Sequence, residues 1–126
     1  MKQIIQTDKA PKAAGPYSQA VVSGAVLYGS GQLPADPKTG EVISQDAEAA
    51  AALVMDNIGA VLAEAGMGYE DIVKTTIFLK DIRNFDTVNK VYSRYFKGAY
   101  PSRSCIQAAA LPKGAEVEIE FIAQKG

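Results

Sequence analysis

Arg103, Cys105 and the acids Glu116, Glu118 and Glu120 fall within one stretch, Tyr100 to Gln124, which reads YPSRSCIQAAALPKGAEVEIEFIAQ. An arginine guanidinium can hold a carboxylate through two parallel hydrogen bonds, a geometry lysine does not reproduce. The plain alternative is a surface arginine paired with a nearby acid. Val117, Ile119 and Phe121 alternate with the three acids, so a strand here puts the carboxylates on one face and the apolar residues on the other. A solvated face is the default for such acids. At a subunit boundary, burial would raise their pKa and suit Glu118 to proton transfer or to positioning water. Cys105 is by default a small buried hydrophobe, because the chain has no histidine to activate it. The same lack removes Ser-His-Asp and Cys-His pairs and the commonest zinc ligation. Carboxylates, arginine, tyrosine hydroxyls, backbone dipoles and water remain.

These residues need a frame, and the hydropathy pattern supplies one. Lys2 to Thr7 is a short candidate strand. Ala20 to Ser23 and Val26 to Ser30 are further strands around a turn at Ser23-Gly24. Gly29-Ser30-Gly31-Gln32 is glycine-rich but lacks phosphate-loop spacing, and no helix begins after it. Pro34 to Gly40 reads as a loop. Asp46 to Ala65 is the clearest helix, with Ala51, Val54, Met55, Ile58, Val61, Leu62 and Ala65 on one face and Gly66 as its stop. Gly59 inside it implies close packing on a neighbour. Asp71 to Lys80 is a strand rich in Val, Thr, Ile and Phe. Asn84 is placed to cap a second helix with an apolar stripe of Phe85, Val88, Val91, Tyr92 and Tyr95, closed by Lys97 and Gly98. The Leu111-Pro112-Lys113-Gly114 break separates two final strands. The order β-β-β-α-β-α-β-β predicts an α+β fold, with two helices on one face of a mixed sheet. Strands such as Ala25 to Tyr28 and Cys105 to Ala109 carry few charges on either face, so the second sheet face calls for a partner, and self-association is the simplest.

The 126 residues are expected to form a single domain spanning 1–126, long enough for a real core. A net charge of −1, with no dense Lys/Arg stripe, argues against nucleic acid as a partner. One cysteine makes no internal disulfide, and MKQIIQTDKA holds no long apolar segment, so the expected setting is cytoplasmic, away from membranes.

Several short elements occur in a fixed order: Gly15-Pro16-Tyr17-Ser18-Gln19, Ser30-Gly31-Gln32, Asp71 to Thr76, Val88-Asn89, Pro101 to Cys105, and Leu111-Pro112-Lys113 followed by the alternating Glu strand. Together, from about Ile5 to Ala123, they resemble the RidA/YjgF family of reactive intermediate deaminases. The resemblance implies a chorismate-mutase-like fold assembled as a homotrimer with clefts between subunits. It also implies hydrolysis of 2-imino acids, such as 2-iminobutanoate and 2-iminopropanoate, to 2-oxo acids and ammonia. Their source would be enamines, such as 2-aminoacrylate, released by PLP-dependent dehydratases, and no metal and no organic cofactor would be used. By position, Arg103 would bind the substrate carboxylate, the Cys105 backbone the nitrogen end, and Glu118 would orient or deprotonate water. Tyr17 and Gly31 would line the cleft, with Phe85, Asn89 and Pro112 as further wall residues. The segment Ile106 to Ala110 departs from the Val-Glu-Val-Ala of many relatives. Two other readings stand beside the enzyme: a non-catalytic ligand-binding or regulatory module, and a structural oligomer with empty clefts.

Overall fold

The structure, a computed structural model, describes residues 1–43 and 46–126. Six strands form one sheet: β1 (Gln3–Ile5), β2 (Ala20–Ser23), β3 (Val26–Gln32), β4 (Ile72–Leu79), β5 (Ser102–Gln107) and β6 (Val117–Gln124). Their spatial order is β1-β2-β3-β6-β4-β5. All pairs are antiparallel except β4 with β5, so the sheet is mixed, as the element order predicts. Parallel neighbours need a crossover. The helix α2 (Phe85–Ser93) supplies it between β4 and β5, and α1 (Ala47–Glu64) links β3 to β4, which flank β6.

Local chemistry accounts for the ends of α1. The Asp46 carboxylate accepts from the backbone N–H groups of Glu48 and Ala49, meeting donors that the first turn leaves free. At the other end Gly66 takes φ 73, Met67 N–H donates to Leu62 O at 2.9 Å and Gly66 N–H to Ala63 O at 3.0 Å. That pair of bonds is a Schellman stop, and only glycine takes the left-handed turn without strain. Gly59 has the expected close neighbour. A side chain there would collide with the Tyr69 hydroxyl, which donates to Met55 O at 2.7 Å.

Both helices lie on one face of the sheet. Ala50, Val54, Ile58, Val61 and Leu62 of α1 and Val88 and Val91 of α2 join Leu27, Ile77, Leu79, Val117, Ile119 and Phe121 from the strands in one buried core. Burial alternates strictly along β6, with the odd-numbered residues buried. Glu118, Glu120 and Ile122 therefore point to the face without helices. A row across that open face runs Ile4, Val21, Tyr28, Ile122, Lys74 by strand register. Ile4 is 51% exposed and Tyr28 48%. Apolar side chains side by side on an uncovered sheet are a surface for a partner.

Several sequence expectations need correction. The first strand is trimmed to Gln3–Ile5, and Asp71 closes a 3₁₀ turn (Tyr69–Asp71) before β4 begins at Ile72. Asn84 sits at the start of α2 but caps nothing; its side chain reaches Glu116 Oε1 at 3.5 Å. Asp81 instead caps a 3₁₀ turn, Ile82–Asn84, that feeds the helix. The helix stops at Ser93, short of Tyr95, Lys97 and Gly98, and Phe85 is half-exposed rather than core. Glu116 precedes β6 and pairs with Lys80 at 3.5 Å, so the carboxylate ladder on the strand has two rungs, Glu118 and Glu120, not three.

Candidate active site

Arg103 points to the helix side of the sheet. In the parallel register it lies opposite Thr75, which is buried beneath the helices, and Cys105 lies opposite the core residue Ile77. Phe85, Asn89 and Tyr92 follow one another at i, i+4 and i+7 on α2, so they share one helix face, and all three meet the guanidinium. Its Nη1 donates to Asn89 Oδ1 at 2.7 Å. The carbon at its centre lies 5.5 Å from the Phe85 ring and 5.2 Å from the Tyr92 ring. Tyr92 is itself fixed by a buried 2.7 Å hydrogen bond between its hydroxyl and that of Thr75. Burial pushes the Tyr92 pKa up, against the opposing pull of Thr75 and of Arg103.

No carboxylate among the described residues forms an ion pair with Arg103. The surface-pair reading of this arginine is therefore not the one the fold adopts. A guanidinium held by an amide oxygen and two aromatic rings keeps its full charge, and most of its N–H donors are left for an incoming anion.

Cys105 presents its backbone rather than its thiol. Its side chain packs against the core, and burial raises the thiol pKa, partly offset by Arg103. The strand β5 is a sheet edge, and Ala108 N–H, just past its end, donates to Leu79 O at 2.9 Å. By two-residue alternation, Ile106 and Ser104 also turn their backbone groups towards β4. The N–H and C=O groups of Arg103, Cys105 and Gln107 then face outward. An anion anchor and unpaired backbone groups thus share one edge.

The second group of candidates lies on the open side. Tyr17, Gly31, Pro112 and Glu118 line a cleft of about 580 Å³, together with Ser30, Gln32, Lys113 and Glu120. Strand β3 slips its register against β6 between Gly29 and Gln32, which sets Gly31 beside Glu118. A Cβ at Gly31 would come within 2.5 Å of Glu118 Oε2, so glycine is the residue that lets the carboxyl lie over this strand. Desolvation raises the Glu118 pKa, and the Glu120 charge raises it further. Pro112 opens a 3₁₀ turn in which Lys113 holds φ 58, an unusual conformation for a residue with a side chain. A larger hollow of about 720 Å³ lies beyond Tyr17, between the N-terminal segment and Lys38, and holds neither acid nor arginine of the site.

The structure therefore brings the predicted residues together in two groups, not one. Arg103, Asn89, Phe85 and Cys105 lie at the β5 edge and the helix face; Tyr17, Gly31, Pro112 and Glu118 lie on the other face. Within one chain Arg103 and Glu118 cannot touch the same small molecule, because strand β4 and the thickness of the sheet stand between them. Two contributors escaped sequence reasoning. Tyr92 looked like plain helix stripe, and Gln19, which also lines the Glu118 cleft, was visible only as the end of a motif. The one available signal for Tyr92 was its i+3 spacing from Asn89. Among the described residues no group of His, Cys, Asp and Glu comes together in a way that could hold a metal ion.

Residues 7–125 match the model of the endoribonuclease L-PSP family, to which the RidA/YjgF proteins belong. The chain is a member of that family. A relative from Homo sapiens, 2-iminobutanoate/2-iminopropanoate deaminase, is 44% identical, with the match covering 100% of this chain and 92% of that protein. A RutC family protein from Saccharolobus solfataricus is 48% identical over 99% of each chain. The crystal structure of E. coli TdcF with bound serine superimposes with a TM-score of 0.94 at 42% identity, covering 98% of this chain and 99% of that one. These likenesses span the whole sheet and both helices, so this RidA/YjgF chain shares its α+β fold with its relatives. No helix among the described residues is long and apolar enough to cross a membrane.

Proposed function

We propose that this protein is a homotrimeric cytoplasmic hydrolase of 2-imino acids, with 2-iminobutanoate and 2-iminopropanoate as the substrate class. The observation that carries the reading is Arg103, a guanidinium held between Phe85 and Tyr92 and tied to Asn89, with no acid among the described residues to neutralise it. Small imino acids offer one strong handle, the carboxylate, and a planar fork is the matching receptor. The outward-facing carbonyl of Cys105 is suited to accept an N–H from the substrate nitrogen.

The acid half of the reaction comes from a second copy. Its Glu118 cleft, with Tyr17, Gly31 and Pro112, would close over the β5 edge of its neighbour, and the apolar row on the open face would be buried in the same assembly. A protonated imine is already electrophilic, so the site has little bond-making to assist. Water attacks the imine carbon while the Glu118 carboxylate takes its proton. Glu118 returns that proton to the nitrogen of the resulting carbinolamine, and as the C–N bond breaks the freed carboxylate takes the hydroxyl proton, which yields the 2-oxo acid and ammonia. A raised pKa suits a carboxylate that must both take and return a proton near neutral pH. The family description also raises RNA cleavage, but a chain without histidine and with net charge −1 offers neither the usual acid-base pair nor a basic groove.

The test is a coupled assay in which a threonine dehydratase generates the enamine and imine, and 2-oxobutanoate formation is followed with and without the protein. Acceleration that vanishes in Arg103→Ala, while sedimentation still reports a trimer, is the expected result. No acceleration by a well-folded wild-type trimer sinks the reading and favours a ligand-binding module.

A further inference from the structure

Tyr17 and the walls around it ride on a segment that has almost no core of its own. Between Thr7 and Ser18 only Ala10 is buried, and Tyr17 is 53% exposed. Within the segment, Tyr17 N–H donates to Gly15 O at 2.8 Å and Ala14 N–H reaches the Tyr17 hydroxyl at 3.3 Å, which tie Tyr17 only to its near neighbours. Beyond the packing of Ala10 in the core, what fastens the segment to the sheet is one side chain. Gln19 is 4% exposed, and its amide nitrogen donates to Thr7 O at 3.1 Å and Pro11 O at 2.8 Å, with Ala10 O at 3.4 Å as a third, shared acceptor. Its amide oxygen accepts from Thr7 N–H at 2.7 Å. Three carbonyls on one side and an N–H on the other admit only this orientation of the amide. Through its own backbone the same residue is locked to β3: Ser30 N–H donates to Gln19 O at 3.0 Å, and the Ser30 hydroxyl to Ser18 O at 2.6 Å. Ser30 adjoins Gly31, over which Glu118 lies.

We infer that Gln19 is a positioning residue for the reaction, a buried amide clamp that fixes the Tyr17 segment against the Ser30–Gly31 side of the cleft. The inference rests on the reading of this cleft as half of an imine-hydrolysing site. Without the clamp the segment samples open conformations, and only a fraction of clefts is competent at any moment. Apparent affinity then falls by that fraction while a filled, closed cleft reacts as before, so KM rises and kcat holds.

Gln19→Met keeps the length and volume of the side chain and removes every side-chain hydrogen bond. Gln19→Asn keeps the amide on a shorter reach and carries the comparison if the methionine variant does not fold. Tyr69→Phe, which deletes a hydrogen bond to Met55 far from the cleft, is the control for general loosening. Two measurements are made on each: steady-state kinetics in the coupled imine assay, and the rate of tryptic cleavage after the exposed Lys9 and Lys12 within the segment. For the Gln19 variants we expect about a tenfold rise in KM with kcat within about threefold of wild type, together with faster cleavage at both lysines. Tyr69→Phe should change neither. Unchanged digestion and KM in the Gln19 variants overturn the inference, as does faster digestion with KM unmoved or with kcat alone reduced. Wild type inactive towards imines overturns the functional reading instead, and the digestion alone then decides whether the clamp exists.

Discussion

The two halves of the candidate site are built in opposite ways. The arginine half rests on regular structure. One strand presents Arg103, and one face of α2 presents Phe85, Asn89 and Tyr92 at helical spacing to receive it. The carboxylate half is assembled from ends and irregularities: a register slip in β3, the turn at Pro112, and the Tyr17 segment held by Gln19. The first is tied before any ligand arrives, because Asn89 accepts from the guanidinium and Tyr92 is fixed by Thr75. The second carries a half-buried acid beside another acid, an arrangement that gains from a cationic or proton-bearing neighbour. Charge complementarity between the two is a reason for one copy to dock its acid cleft on the arginine edge of another.

The sharpest way to break that comparison is to disable each half in separate chains. Arg103→Ala removes up to two charge-assisted hydrogen bonds to substrate and should lower kcat/KM by about a thousandfold, on the order of 4 kcal/mol. Glu118→Gln should also be nearly inactive. Co-expressed in equal amounts and assayed without separating the trimer types, the two variants should regain about a quarter of the wild-type sites, since three-quarters of random trimers are mixed and each holds one intact cleft in three. If both residues acted from one chain, the mixture would stay dead.

A milder change sharpens the picture of the acid half alone. Gly31→Ala pushes a methyl group against the Glu118 carboxyl, whose flexible stem can yield, so the chain should fold with nearly wild-type thermal stability. Displacing the acid from its place should still lower kcat about tenfold with a smaller change in KM. An alanine variant with unaltered kcat would remove Glu118 from proton transfer.

The smallest expected effect is on stability. Burial and Glu120 raise the Glu118 pKa above the ordinary 4.5, so the folded chain holds a proton there more tightly than the unfolded chain does. Stability therefore falls as pH rises from 4.5 through the folded value, and the penalty is fully present above it. Because the group is only partly buried, solvent screens much of this cost. Glu118→Gln should raise the melting temperature by about 1–3 °C at pH 7 and by nothing at pH 4. Equal shifts at the two pH values would show that the acid carries no burial penalty.

Reading the chain in advance succeeded where structure is local. The glycine stop at Gly66, the tight neighbour of Gly59 and the alternation along β6 each depend on residues a few positions apart. It failed where two local signals competed. Asn84 is a sound capping residue, yet its side chain goes to Glu116, thirty-two positions away, and Asp81 caps the preceding turn. The three-acid ladder lost Glu116 to Lys80 for the same reason: a partner just past the end of β4 outweighed the pattern of its own segment.

From sequence alone came the element order, the family motifs, the histidine-free chemistry and the identities of Arg103 and Glu118 as the residues worth watching. That the two lie on different faces, and that Arg103 meets aromatic rings rather than an acid, was decided only by the sheet order β1-β2-β3-β6-β4-β5. A segment of alternating residues defines two faces but not which face the helices will cover. Inserting β4 between β5 and β6 is a non-local choice, made by burying one common core against both helices, and it is that choice which sets Arg103 beside α2 and leaves Glu118 on the open side.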